Sequence, residues 1–381
     1  MPELKGTDVS EFKNQYKTAQ QVTQPERLVI DFNGVRMEYG QVGYPIRYGT
    51  NPNQQCFIYK PLHDNQLPIG NMRLIKGGKA GLSLTNIQDM SQALNILKYF
   101  PLQPACAVMK HLNPSGFKAQ TKQEETQEQI YTLARGCDDR SAYGSTVGFN
   151  RAVDKTTAEA IMSTFVEGVI APSYEEGVIK IFKRNENTKK LNNAIRITEA
   201  TNMDALPKYE GDLFNGYYNI KTLADGTIAF ETPFLTKIRR THDFIVDPMV
   251  EGVVVKRLPT QQELEDGLTA WYLNINVRSN GIVFVKDGTG LTIGTGQQER
   301  VGAVEQAIAK AKQKGHNLEG AVMSSDAFFP NRDSIDAIAK EGVKAVVWPA
   351  GSLADKKIIE AANEYDIALM CTQGERCFAH F

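Results

Sequence analysis

The sequence has no pair of cysteines at C-x-x-C spacing, no apolar run long enough to cross a bilayer and almost no net charge, and each absence removes a class of protein. Five cysteines, Cys56, Cys106, Cys137, Cys371 and Cys377, are scattered over 381 residues. An odd, dispersed set excludes a disulfide framework and a zinc knuckle and fits a reducing compartment. Lys plus Arg number 43 against 44 Asp plus Glu, so bulk charge gives no reason to expect nucleic acid or a membrane surface as partner. An anionic ligand must be met by local side chains. The opening stretch MPELKGTDVSEFKNQYKTAQQ lacks the basic-then-apolar order of a secretory leader, and a cytoplasmic location is expected. There is no low-complexity segment and no P-loop, and the isolated G-x-G of Gly294 and Gly296 falls short of a dinucleotide fingerprint.

What is present is an alternation. Short β-branched runs that end in turn residues, at 105–111, 168–172, 281–288, 320–326 and 344–352, predict buried strands. Helical spacing predicts helices over 154–166, 260–275, 299–315 and 352–366, the last capped by Ser352 with Asp355 three residues on. Strand alternating with helix means an α/β fold with a mostly parallel or mixed sheet. The length exceeds what one core usually serves. The most polar interior stretch, KRNENTKKLNN at 183–193, places a boundary near 200. We therefore expect a loosely held arm over 1–24 and two α/β units over 25–200 and 201–381. No exact internal repeat is visible, so a duplication would rest on architecture alone.

In open α/β sheets ligands bind where strands deliver their carboxyl ends, so the polar residues that follow each apolar run carry the information. ACAVM runs into Lys110, His111 and Asn113, then a Pro-Ser-Gly turn. A histidine beside an ammonium is suited to general-base work near neutrality, although a lone Lys-His pair is more often surface decoration. RYGTNPNQ sets Arg47 and Tyr48 before a turn, where a guanidinium fork suits phosphate. Ser279 and Asn280 precede a buried run, and Arg300 opens a helix. SSDAFFPNRD combines Asp326, Phe328, Phe329, Pro330 and Asp333 in what could be an apolar slot for a flat ligand, core packing of either Phe being the plainer account. Arg376 and His380 lie in a C-terminal stretch of the kind that usually frays.

In order, RYGTNPNQ, LSLTNIQD, VMKHLNPSG, CDDRSAYG, EGVIAP, RSNGIVFVKDG, GTGQQER, SSDAFFPNRD, PAGSLAD and RCFAH resemble the formyltransferase part of the bifunctional purine-synthesis family, AICAR transformylase joined to IMP cyclohydrolase. These segments span residues 47 to 380. The resemblance implies two cytidine-deaminase-like three-layer α/β/α subdomains with mixed sheets, paired as a homodimer with active sites at the subunit interface. The zinc chemistry of deaminases does not carry over, because neither H-x-E nor P-C-x-x-C occurs. The reaction implied passes the formyl group of 10-formyltetrahydrofolate to the 5-amino group of aminoimidazole carboxamide ribonucleotide (AICAR).

By the same resemblance His111 is the base, Lys110 stabilises the oxyanion or protonates the leaving nitrogen, and Asn280 aligns the carboxamide or formyl oxygen. Arg47 with Tyr48, and Arg376 with backbone near Phe378, would hold the phosphate. Gly144 and Glu167 would lie beside base and ribose, with Arg300 near the carboxamide. The folate would rest on Tyr143, Phe328 and Pro330, with Asp333 and Arg140 near its polar atoms. Ser279 and Asp326 match a potassium site held by some members.

Only 46 residues precede RYG where the family carries its cyclohydrolase part, so no ring closure is expected of this chain. Asn53 stands where many members have histidine, Arg140 replaces a more apolar residue, and Phe381 extends the usual tail. Two alternatives stay open: the same nucleotide with a non-folate formyl donor, and a non-catalytic nucleotide-binding paralogue.

Overall fold

Alternating buried runs and helix-forming stretches become, in the computed structural model, one large mixed sheet covered by helices on both faces. The structure describes residues 23, 25–32, 34–64, 66–78, 81–214 and 218–380. The expected N-terminal arm, apart from Thr23, and Phe381 lie outside the described residues.

Strands β1 (Arg27–Phe32), β2 (Val35–Gln41) and β3 (Tyr59–Pro61) make a small antiparallel sheet. Then follow β4 (Arg73–Gly77), α1 (Leu84–Leu97) and a hairpin of β5 (Ala105–Lys110) with β6 (Asn113–Ala119). The chain goes on through α2 (Gln127–Gly136), β7 (Ser145–Phe149), α3 (Lys155–Met162), β8 (Val166–Ala171), α4 (Val178–Lys183) and β9 (Arg196–Glu199). Two small hairpins intervene, β10 (Asn219–Thr222) with β11 (Ile228–Glu231) and β12 (Met249–Val250) with β13 (Val253–Val254). The earlier succession then returns as α5 (Gln261–Asn274), the hairpin β14 (Ile282–Lys286) and β15 (Thr289–Gly294), and α6 (Arg300–Lys314). It closes with β16 (Val322–Ser325), α7 (Asp333–Ala339), β17 (Ala345–Trp348), α8 (Asp355–Glu364) and β18 (Ala368–Cys371).

The main sheet has eleven strands in the order β18-β17-β16-β14-β15-β6-β5-β7-β8-β9-β4. Strands from before residue 200 occupy one side and those from after it the other, joined where β15 runs antiparallel to β6. In each half the hairpin is extended by three mutually parallel strands. α1 opens at 84 and α5 at 261, and β5 at 105 and β14 at 282, so 177 residues separate both pairs. The repeat lies in the order and packing of elements rather than in identical side chains, which is why the sequence hides it.

Each central helix starts alike. Ser83 and Thr260 accept the N–H of Asn86 and Glu263, whose side chains reach back to the cap N–H, so two orphan donors are satisfied at each start. Strand alternation then divides the core by face. Ala105, Ala107 and Met109 of β5, with Val283 and Val285 of β14, face a core shared by α1 and α5, where the rings of Tyr99 and Tyr272 stack 4.3 Å apart. Cys106 and Val108 face α2–α4, and Ile282 and Phe284 face α6–α8. The result is a three-layer α/β/α fold. Glycine permits the tightest contacts: a Cβ on Gly116 would lie 1.8 Å from the Ala134 carbonyl oxygen, and one on Gly294 2.0 Å from that of Ala303.

Three local expectations need correction. The helix expected over 154–166 ends at Met162, and Val166 already opens β8. The run expected over 344–352 stops at Trp348, because Ala350 and Gly351 adopt φ of 60° and 93° and turn the chain. Ser352 is not the N-cap of α8. Its hydroxyl accepts the Ala354 N–H at 3.0 Å, and the helix starts three residues later, with the Asp355 carboxylate drawn back onto the N–H groups of Gly351 and Ser352.

Candidate active site

Ala105 to Met109 are fully buried, so β5 becomes polar only at Lys110, where it meets the edge of the sheet. The chain reverses through His111 and Leu112, both at positive φ, 54° and 68°. That is the pattern of a type I′ turn, which Asn-Gly or Asp-Gly forms readily and which costs a bulky residue on the order of 1–3 kcal/mol. The carboxylate of Asp89, on α1, accepts the Leu112 N–H at 2.8 Å. Burial pushes the Asp89 carboxyl up, with the backbone N–H groups of Leu112 and His111 opposing that shift. The Lys110 ammonium donates to the Tyr143 carbonyl, and His111 itself is exposed.

Asn113 ties this turn to the second half of the chain. Its side-chain oxygen accepts the Arg278 N–H and the Thr295 hydroxyl, each at 3.0 Å. Beside the turn lies a cavity of about 560 Å³ lined by Lys110, His111, Asp138, Arg140, Lys310 and Lys314 among others. Lys314 is held by Asp138 and Asp139 at 2.8 and 2.9 Å. Cations outnumber carboxylates on this wall, which suits an anionic ligand.

A first cluster adjoins the turn. Arg47 and Tyr48 are buried and joined by a 2.6 Å hydrogen bond, and Arg47 Nε has no partner among the described residues. Arg196 is also buried. It donates to the Gly81 carbonyl at 3.0 Å and stands 4.0 Å from Glu167. Burial, then the nearby Arg47 cation, lowers the Arg196 pKa. Glu167 also accepts from Asn86 at 3.4 Å, and a Cβ on Gly144 would lie 3.7 Å from its carboxylate.

These residues correct the strand-end expectation. Gly144, Glu167 and Arg196 stand at the amino ends of β7, β8 and β9, because β5 runs antiparallel to β7 and its carboxyl end therefore shares their edge. Sequence reasoning missed Arg196 and Asp89. The signals were a charge inside the apolar run AIRIT and the acid that ends LSLTNIQD.

A second cluster occupies the same edge of the other half. Ser279 and Asn280 are joined by a cis peptide. The Asn280 amide donates to the carbonyls of Gln297 at 2.8 Å and Gln298 at 3.2 Å, while its oxygen accepts from Arg300 at 2.6 Å. Arg300 pairs with the fully buried Asp326, which also accepts the Ser279 hydroxyl at 2.6 Å. The tail, expected to fray, is strapped down: Ser279 N–H donates to the Ala379 carbonyl and Cys377 N–H to that of Asp326, both at 3.0 Å. The Arg376 guanidinium lies 4.6 Å from the centre of the Phe328 ring. Phe329 is core, whereas Phe328 is half-buried and Phe378 and Pro330 are exposed. Asp333 opens α7 with its carboxylate on the Ser334 N–H at 2.7 Å.

The structure thus brings Lys110, His111, Tyr143, Gly144, Glu167, Arg47 and Tyr48 together, with Arg140 on the cavity wall. It brings Ser279, Asn280, Arg300, Asp326, Phe328, Arg376 and Phe378 together separately. Asn280 and His111 belong to strands three spacings apart, about 15 Å. Arg47 and Arg376 are further apart, on the order of 30 Å by the same spacing. The Ser279 and Asp326 pair is a poor fit to a cation, because Arg300 already neutralises that carboxylate. Among the described residues no three His, Cys, Asp or Glu side chains are grouped to hold a metal, and no helix is long and apolar enough to cross a membrane.

Fold and site together define a duplicated three-layer α/β protein with an anion-ready edge and a histidine held in a strained turn. A profile of the AICARFT/IMPCHase bienzyme family matches residues 13–310. The Bifunctional purine biosynthesis protein PurH of Aquifex aeolicus is 36% identical over 336 residues, covering 88% of this chain and 59% of that protein. Proteins of the same name from Caldicellulosiruptor saccharolyticus and Persephonella marina are 37% and 34% identical, again over 88% of this chain and 59% of theirs. The chain belongs to the AICARFT/IMPCHase bienzyme family. It spans about three-fifths of the length of the relatives it matches. A solved diaminohydroxyphosphoribosylaminopyrimidine deaminase/5-amino-6-(5-phosphoribosylamino)uracil reductase from Thermotoga maritima covers 25% of this chain and 31% of its own, 24% identical, with a TM-score of 0.21. A likeness of that size carries no argument.

Proposed function

We propose that this chain acts in purine biosynthesis by transferring the formyl group of 10-formyltetrahydrofolate to the 5-amino group of AICAR. The observation that carries this is the turn itself. A surface histidine is seldom worth a strained backbone, yet His111 is held at positive φ beside Lys110 on the wall of a basic cavity. The amine attacks the formyl carbon, the bond from that carbon to N10 breaks, and His111 takes the amine proton. Lys110 stabilises the oxyanion or protonates N10 as it leaves.

The contacts sharpen one role. Both N–H groups of the Asn280 amide are taken by Gln297 and Gln298, so its remaining capacity is a lone pair on oxygen. Asn280 then accepts an N–H of the carboxamide or amine instead of donating to the formyl oxygen. Arg47 and Tyr48 serve the phosphate, and the buried Arg47 Nε has no other partner among the described residues. Arg140, with Lys310 and Lys314, suits the acidic tail of the folate.

The two clusters support a homodimer with shared sites. Arg47 and Arg376 are too far apart in one chain to grip one phosphate, and a second subunit could supply the missing half. No step is routed through potassium. The shared topology of the two halves supports a repeat, and their cytidine-deaminase-like form is proposed from the motif resemblance alone.

The test is product formation by the purified chain from AICAR and 10-formyltetrahydrofolate, with a parallel arm of formate plus ATP and a check for ring closure. Turnover dependent on the folate is expected. His111→Ala should abolish it while AICAR binding stays measurable by calorimetry, and near-normal turnover in that variant removes His111 from the mechanism.

A further inference from the structure

Building on formyl transfer as the reaction of this site, we propose that Asp89 is a positioning residue, whose carboxylate holds the His111-Leu112 turn in the conformation that presents the imidazole to the cavity. Asp89 is the sixth residue of α1, and its carboxylate accepts the Leu112 N–H at 2.8 Å. The His111 N–H also favours the charged form of this carboxylate. His111 has φ of 54° and Leu112 of 68°, in the left-handed region that histidine tolerates better than most and that leucine resists. A turn made of such residues relaxes unless something outside it fixes its N–H groups.

The second half supplies the comparison that assigns a function to this contact. Asp266 is the sixth residue of α5 and accepts the N–H groups of Asp287 and Gly288 at 2.9 and 2.7 Å. The same device therefore sits under both hairpins. Asp287-Gly288 adopts positive φ by its own preference, so there the carboxylate secures a turn that already forms. Under His111 it opposes a strain, and the reacting group is part of what it holds. The bonds of Arg47 and Tyr48 are to one another, to Leu82 and to Leu84 at the start of α1, and none is to Asp89.

The experiment compares Asp89→Asn, Asp266→Asn and Asp89→Asn with Leu112→Gly in the full chain. Asparagine keeps the size but loses the charge and one acceptor oxygen. Asp89→Asn is expected to lower kcat about 10- to 100-fold, the usual cost of misplacing a catalytic group by about an ångström, with the KM for AICAR changed less than about threefold. Glycine at 112 removes the strain at one of the two residues and should restore most of the lost kcat. Asp266→Asn should leave kcat within about twofold of wild type.

Hydrogen exchange at the Leu112 amide gives a readout independent of turnover: fast in Asp89→Asn, slow in the wild type. A wild-type kcat in Asp89→Asn, or a double variant no faster than Asp89→Asn, overturns the proposal. If Asp89→Asn does not fold, recovery of folding by Leu112→Gly supports it and failure to recover overturns it. A wild-type chain without formyl transfer but with Leu112 exchange controlled by Asp89 would reject the reaction while keeping the contact, so the two failures are distinct.

Discussion

The hairpins β5–β6 and β14–β15 are built to one plan and put to different uses. Each has a two-residue turn with both φ angles positive, a lysine before it, a bulge after its second strand pair and a helix carboxylate beneath it. In β14–β15 the turn is Asp287-Gly288, residues that take this geometry without resistance. In β5–β6 it is His111-Leu112, where the leucine resists it. The difference teaches that local rules are broken where chemistry needs a particular side chain at the tip, and that the surrounding fold supplies the restraint.

Exchanging the turns should break the comparison most severely. His111→Asp with Leu112→Gly gives the first hairpin the second one's residues. Turnover should fall at least about 10³-fold through loss of the base. The folded state should gain about 1 kcal/mol through relief of strain, visible as a higher denaturant midpoint alongside the rate assay.

Next in size are the two arginine clusters on the shared edge. Arg300→Met leaves the fully buried Asp326 without its cation and should cost about 3–5 kcal/mol. Arg196→Met loses the 4.0 Å pair with half-exposed Glu167 and the bond to the Gly81 carbonyl, and should cost about 1–2 kcal/mol in all. Equal losses in chemical denaturation would show that the clusters do not differ as their burial implies.

The second hairpin can be strained in its turn. A Cβ on Gly288 would lie 2.6 Å from Thr121 Cγ2 at φ of 68°. Gly288→Ala should therefore destabilise by about 2 kcal/mol, while kcat per folded molecule stays unchanged.

The smallest effect concerns the ends of the central helices, where Lys98 caps α1 and Ile275 caps α5. Burial lowers the Lys98 pKa from 10.5 to about 7. Between those values the folded chain binds fewer protons than the unfolded one, so stability rises with pH through that window and the full penalty applies below about 7. Lys98→Ile should stabilise by about 1 kcal/mol at pH 6, after allowing for the lost bond to the Pro207 carbonyl, and the advantage should vanish by about pH 10. A gain that persists at high pH would assign it to packing alone.

Much of this was legible beforehand. The helices expected at 260–275 and 299–315 match α5 and α6 within a residue, since long periodic stretches with clear ends leave little choice. The strand ACAVMK and its polar end were equally plain. α1 is harder to read in the sequence: Ser83 with Asn86 marks its start, yet the polar Asn86 also falls among its buried residues. Phe328 and Phe329 could not be told apart by adjacency, and only packing sent Phe329 into the core while leaving Phe328 to Arg376.

By itself the sequence determined the α/β class, the family and the identity of the polar residues at the sheet edge, because these depend on local periodicity and residue chemistry. Tertiary structure alone decided that the two halves share one topology and one central core, that the site residues fall into two clusters on a common edge, and that Asp89 lies under His111. Those facts depend on pairings between residues far apart in the chain. A carboxylate's partner is fixed by which backbone N–H groups burial leaves within about 3 Å of it, and no spacing along the chain encodes that distance.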